Sequence, residues 1–216
     1  MNHRYSFNDG TASDSAGGAS GSVIGSKVTI SGGEVAFNDG WGARSAIQLP
    51  ANILRPNAQS GATAFSVEIW ATTSKTNTFS GYCPRLYQFG TSGTNDNSFG
   101  INRAPCWPGI GYLQALMPGA SGCTTTSQVL FNGLSNTQIV ITYALGGPAN
   151  FYVNGALIMN CPGVISQSNY DIVTSTETNY LGRSLYGGDT GLAGSINEFR
   201  IWNGELSASM VIANMN

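Results

Sequence analysis

Short runs of β-forming residues recur along this chain roughly every 10 to 15 residues, and no other period runs through it. The runs are RYSF, KVTI, EVAF, SAIQLP, AFSVEIWATT, RLYQF, SFGIN, GYLQALM, TQIVITYA, NFYVNGALIM, NYLGR and GSINEFRIW. In the first, Tyr5 and Phe7 alternate with Arg4, Ser6 and Asn8, the period-two pattern of a half-buried strand. Turns rich in Gly, Asn and Ser separate the runs. In FYVNGALIM, Asn154 and Gly155 both tolerate positive φ, which predicts a two-residue type I′ hairpin turn. Helical periodicity is absent before residue 205. The only helix candidate is SASMVIANM, with Ser207 as N-cap and Met210, Val211 and Met215 as an apolar stripe. No linker, repeat or composition break divides the chain, so residues 1–216 read as one all-β domain. The expected form is an antiparallel β-sandwich of roughly a dozen strands with a short C-terminal helix.

Only 9% of the residues are charged, against about 25% in an average domain. The hydrophobic fraction is nevertheless 41%, with aromatic residues well represented, which is not the composition of a disordered chain. A net charge of −2 offers a nucleic-acid backbone no electrostatic footprint. No apolar run approaches the ~18 residues of a membrane span. Nor does a basic start lead into an apolar stretch, so no signal peptide is expected at the front of this sequence.

Cys83, Cys106, Cys123 and Cys161 lack CxxC spacing, and the one histidine is His3, which argues against a cysteine-based zinc site. Two disulfides in an oxidising compartment are the expectation. RLYQFG and SFGIN read as hairpin strands around TSGTNDN. A register that opposes Phe89 to Phe99 brings Cys83 almost opposite Cys106, which leaves Cys123 for Cys161.

Several segments, in order, resemble the laminin-G-like jelly roll of the concanavalin A-like lectin/glucanase superfamily, in the subgroup found in large secreted bacterial proteins. They are HRYSFNDGTASDSAGGASGSVIG, EVAFNDGWGARSAIQLP, FSVEIWATT, ITYALGGPANFYVNGALI and NYLGRSLYGGDTGLAGSINEFRIWNGELSASMVIANM. The stretch from Phe79 to Cys123 is longer than the family pattern. The resemblance implies a jelly roll whose first and last strands lie side by side, often with a structural calcium ion nearby. Asp9, Asp14, Asn197 and Glu198 are then the expected ligands, since calcium takes six to eight oxygens. A water-solvated Asx-turn loop is the alternative for NDGTASDS.

The fold hosts lectins, adhesion modules, hydrolases and spacers alike, so function rests on particular residues. A glycosidase needs two carboxyl groups at one cleft. FSVEIWATT offers Glu68 alone, which is expected either to pair with an Arg such as Arg200 or to form hydrogen bonds within the sheet. No GxSxG accompanies the lone histidine. For sugar binding, SGYCPRLYQF and INRAPCWPGIGY gather Tyr82, Arg85, Arg103, Trp107 and Tyr112, and Trp41 follows NDG as a second aromatic candidate. Trp70 and Trp202 lie within strands and read as core, and RSLYGGDTG, with Tyr186 and Asp189, reads as a plain surface turn. The expectation is a secreted or surface-displayed, non-catalytic module within a larger protein or assembly, with glycan as ligand. The alternative is a structural or adhesive protein–protein module of a surface assembly or virion.

Overall fold

The computed structural model describes residues 1–38, 44–55, 61–74, 83–90, 98–106, 111–118, 123–124, 129–161 and 163–215. In chain order the strands are β1 (His3–Tyr5), β2 (Ser22–Ile24), β3 (Val28–Ser31), β4 (Glu34–Asn38), β5 (Ala46–Leu49), β6 (Ala64–Thr73), β7 (Arg85–Gly90) and β8 (Ser98–Ala104). They continue with β9 (Tyr112–Leu116), β10 (Cys123–Thr124), β11 (Thr137–Ala144), β12 (Asn150–Val153), β13 (Ala156–Asn160), β14 (Thr178–Leu181) and β15 (Ala193–Asn203). Two helices are present among the described residues, α1 (Gln167–Thr174) and α2 (Ala208–Ala213).

The strands form two antiparallel sheets. The front sheet runs β13-β12-β11-β6-β15-β4-β3, with β1 also on β15, and the back sheet runs β10-β9-β8-β7-β14-β5-β2. Alternation along each strand sends one set of side chains inward. Phe65, Val67 and Ile69 of β6 and Phe199 and Ile201 of β15 meet Tyr87, Phe89, Phe99 and Ile101 of the back sheet in one core. Rings cross the interface edge-on, Phe65 to Phe99 at 5.4 Å and Tyr87 to Phe199 at 5.5 Å. This is the antiparallel sandwich that the alternating runs predict, and it is consistent with the jelly roll that the resemblance implies.

The hairpin at Asn154 and Gly155 forms as its residues dictate, with φ of 46° and 78° and Val153 paired to Ala156. Phe89 lies opposite Phe99. Cys83 joins Cys106 and Cys123 joins Cys161, with Cα atoms 4.5 and 5.4 Å apart. Replacing both Cys123 and Cys161 by alanine should cost about 2–4 kcal/mol, because their bridge spans 38 residues of chain. Chemical denaturation of the double variant checks this, and an unchanged midpoint would show that the bridge contributes nothing.

Three elements depart from the expectation. Helix α1 is a second helix; Ser166 caps it by accepting from the Asn169 N–H, and Tyr170 and Val173 are buried in its face. Strand β2, at the edge of the back sheet beside β5, is almost wholly exposed and so shows no alternation. Strand β1 ends at Tyr5, and Phe7 reaches the core from a left-handed backbone with φ of 56°. Ser207 caps α2 as expected, accepting from Met210 N, but only Val211 of the apolar stripe is buried. Met210 and Met215 stay exposed.

Candidate functional site

The outer face of the front sheet is built by the side chains that alternation turns away from the core. On β6 these are Ser66, Glu68, Trp70 and Thr72, and on β11 they are Gln138, Val140 and Thr142. The pairing of β15 with β6 shifts register between Ile196 and Glu198. Past that bulge, Glu198 lies opposite Trp70 and Arg200 opposite Glu68, while Asn197 is left exposed.

Arg200 is held from three directions. Its Nε donates to Glu198 Oε1 at 2.6 Å, its Nη1 lies 3.5 Å from Glu68 Oε2, and its guanidinium sits 4.6 Å from the Trp70 ring centre. Arg4, carried in by β1, clamps Glu198 from the far side, with Nε 2.5 Å from Oε1 and Nη2 3.3 Å from Oε2. Glu68 has no exposed surface and also accepts from Gln138 Nε2 at 2.8 Å, Trp202 Nε1 at 3.1 Å and Asn214 Nδ2 at 3.3 Å. Gln138 donates in addition to the Val211 carbonyl at 3.1 Å, so the same network ties α2 to the sheet.

The two carboxyls respond in opposite directions. Burial pushes Glu68 above the usual carboxylate range, outweighing Arg200 and the donors around it. Burial acts the same way on Glu198, but there the hydrogen bonds from Arg4 and Arg200 prevail and hold the group below that range.

Above this network lies a cleft of about 230 Å³ lined by Trp70, Asn136, Asn197, Glu198, Arg200 and Asn214. A wider cleft of about 670 Å³ runs on over β4, β15 and the end of β6, between Glu34, Asn38, Thr72 and Ser195. Two hydrogen bonds link the linings of these clefts or their neighbours: Asn136 N–H donates to Thr72 Oγ1 at 2.9 Å, and Asn197 Nδ2 donates to the carbonyl of Gly33, next to Glu34, at 3.1 Å. Ser195 donates to Glu34 at 2.8 Å. Fixed amides, hydroxyls and carboxylates thus face solvent across three neighbouring strands. Such groups can donate to and accept from the hydroxyls of an extended ligand.

Glu68 pairs with Arg200 as expected, but Trp70 and Trp202 are not in the core between the sheets: both stand on the outer face, Trp70 buried beneath Arg200 and Trp202 half-buried with its Nε1 on Glu68. The other expected site residues lie elsewhere. Arg85, expected at a sugar site, is 1% exposed. It pairs with Asp189 at 3.2 Å and donates to the Cys83 carbonyl and to Gln88. Burial lowers its guanidinium to about 10, against the pull of Asp189. The segment holding Ser184 and Asp189 therefore closes over the back sheet and is not a plain surface turn. Arg103, also buried, donates to Asn132 Oδ1 at 3.0 Å and to the Pro105 carbonyl at 3.2 Å. Neither arginine reaches solvent, because neutral back-sheet partners and Asp189 enclose them. Tyr112 is half-buried at the start of β9. Trp41, Tyr82 and Trp107 lie outside the described residues.

The chain's two ends do meet, with Arg4 opposite Arg200. The four expected calcium ligands nevertheless do not form a cage. Asp14 Oδ1 accepts from the N–H groups of Arg4, Ala16 and Gly17, and Oδ2 accepts from Ala19 N and His3 Nδ1, all within 3.0 Å. Glu198 is taken by two arginines, Asn197 turns to Gly33, and Asp9 closes an exposed turn with Thr11. No group of three metal-ligating side chains occurs among the described residues. The four side chains make separate contacts, and Asp14 organises the front loop through backbone N–H groups in the manner of an Asx-type turn.

The family profile of the concanavalin A-like lectin/glucanases superfamily, in its laminin-G form, matches residues 42–212. The chain belongs to this family. A comparison with curated proteins finds no match. Among solved structures, this laminin-G-like chain is similar to domain 4 of an extracellular arabinanase from Geobacillus stearothermophilus, in complex with arabinotriose. The two share 20% identity over 98% of this chain and 96% of that one, with a TM-score of 0.66. Trypanosoma rangeli sialidase matches at 14% identity and a TM-score of 0.65, over 97% of this chain and 31% of the sialidase. A botulinum neurotoxin type C chain, whose cell entry depends on two ganglioside molecules, matches at 14% identity and a TM-score of 0.59 over 94% of this chain and 48% of that one. The laminin-G-like chain thus spans about a third of the sialidase and half of the toxin chain. Sequence reasoning named Glu68 and Arg200 but missed that they underlie a cleft. The signal was available in the outward positions of FSVEIWATT and NEFRIW, which carry Glu, Trp and Arg where a solvated face carries small polar residues.

Proposed function

We propose that the chain is a non-catalytic carbohydrate-binding module of an extracellular protein, and that it binds glycan along the outer face of the front sheet. The observation that carries this reading is the pair of clefts on that face, lined by fixed amides and hydroxyls, the smaller of them above a locked Arg200–Trp70 pair. Binding groups held by partners of their own lose little freedom when a ligand arrives. The arabinotriose in the arabinanase domain and the gangliosides of the toxin support the choice of carbohydrate. Catalysis is disfavoured by the placement of the two carboxyls. Glu68 is buried beneath Arg200 and Glu198 is held by two arginines, so among the residues lining the clefts Glu34 has no second available carboxyl to work with. The two disulfides support an oxidising, extracellular setting.

Titration with arabinotriose, followed by tryptophan fluorescence and calorimetry, tests the reading. Saturable binding is expected. Asn197→Ala should weaken it about tenfold, the loss of roughly one hydrogen bond, without moving the melting temperature, because Asn197 is exposed. A protein–protein role draws on the exposed apolar residues Leu157, Ile212 and Met215, at 48%, 51% and 41%, of which Met215 also lines the smaller cleft. Self-association in sedimentation together with failure to bind any glycan would favour that role.

A further inference from the structure

We infer, on the basis of the carbohydrate reading, that the cleft selects uncharged sugars and rejects acidic ones, and that Glu34 is a specificity-determining residue for this choice. Among the described residues lining the two clefts, Arg200 is the only cation, and each of its two paired-donor edges already has one nitrogen on a carboxylate, Nε on Glu198 and Nη1 on Glu68. Its face lies on Trp70. A ligand carboxylate therefore finds no free guanidinium edge for the paired hydrogen bonds by which arginine captures carboxylates.

The local charges point the same way. Glu34, Glu198 and the underlying Glu68 carry three acids, and Arg200 with Arg4 supplies two cations. Glu198 is neutralised by its two arginines. Glu34, on the wider cleft, accepts from the neutral Ser195 hydroxyl. An acidic sugar entering this part of the cleft meets a carboxylate whose field that partner does not cancel, and like-charge juxtaposition is a strong means of rejection. Neutral hydroxyls meet the opposite situation. Glu34, Glu198, Asn197 and Asn38 can accept from them, and the amides can donate.

The test uses one polymer in two charge states. Polygalacturonate and its carboxyl-reduced form share a backbone, and arabinan serves as a second neutral probe. In affinity electrophoresis with the full chain, arabinan and the carboxyl-reduced polymer should retard the protein, and polygalacturonate should do so roughly tenfold less or worse, as one poorly screened like charge implies. Glu34→Gln should narrow the ratio between the two forms of the polymer. About 1 M salt should narrow it as well, because the screening length falls to about 3 Å. Equal or tighter binding of polygalacturonate, or a ratio that neither Glu34→Gln nor salt moves, overturns the inference and leaves the carbohydrate reading standing. Failure of every probe to retard the protein overturns the carbohydrate reading, and this inference with it.

Discussion

Arg200→Ala should abolish retention by arabinan and cost about 3–5 kcal/mol of stability, the range for removing one partner of a buried ion pair. The loss has two origins. Glu68 has no exposed surface and would keep only the neutral donors Gln138, Trp202 and Asn214, while Glu198 would keep Arg4 alone. The cleft would also lose its only described cation and the group that covers Trp70. Lysine should not restore binding, since it cannot engage two carboxylates in a plane while stacking on the indole.

The pH dependence of this variant follows from Glu68, whose carboxyl already lies above its ordinary value because of burial. Without Arg200 it should rise further. A group raised in the folded state contributes stability that is fully present below its unfolded pKa and is lost as pH rises through the folded one. The deficit of Arg200→Ala relative to the parent should therefore be smallest in acid and grow toward neutral pH. Glu68→Gln in the Arg200→Ala background should remove most of that growth. Melting temperatures measured across pH decide the matter, and a deficit that does not vary with pH would contradict the assignment.

Asp14→Ala should cost about 3–5 kcal/mol as well, because one buried carboxylate satisfies four backbone N–H groups and His3. For a chain of this size that corresponds to a fall in melting temperature on the order of 10 °C. Burial opposes ionisation of Asp14, yet the hydrogen bonds outweigh it and hold the carboxyl well below its ordinary range. A group lowered in the folded state contributes stability above its unfolded pKa and loses it as pH falls through the folded one. The parent should therefore weaken below about pH 4, and Asp14→Ala should show a flatter acid limb. A chelator should leave both melting curves unmoved. A chelator-sensitive parent with an insensitive variant would instead restore calcium to this loop.

The fold was legible in the sequence because its cause is local. Alternation identified the strands, Asn154–Gly155 set one hairpin, and opposing Phe89 to Phe99 was enough to pair the cysteines. What escaped detection lacked that local signal. Helix α1 has only two buried residues besides Thr174 and no charged cap, and β2 lies exposed at a sheet edge. The site was harder to read for a different reason. Arg85 looks like a surface cation until Asp189, far along the chain, closes over it. Asp14 looks like a metal ligand until the loop wraps its own N–H groups around it. The cleft draws on β6, the turn before β11, β15 and the end of α2. Only the Glu68–Arg200 pair hinted at that convergence, because a carboxylate in the middle of a strand requires a partner on the next one.

The most direct test of the proposed binding face is the response of the indole N–H resonances to arabinotriose. Trp70 and Trp202 lie on the outer face of the front sheet, whereas Trp41 and Trp107 lie outside the described residues. The Trp70 and Trp202 signals should shift together and saturate, with Arg200→Ala abolishing the change. Saturable shifts confined to Trp107 or Trp41, with Trp70 and Trp202 unmoved, would contradict the proposed face.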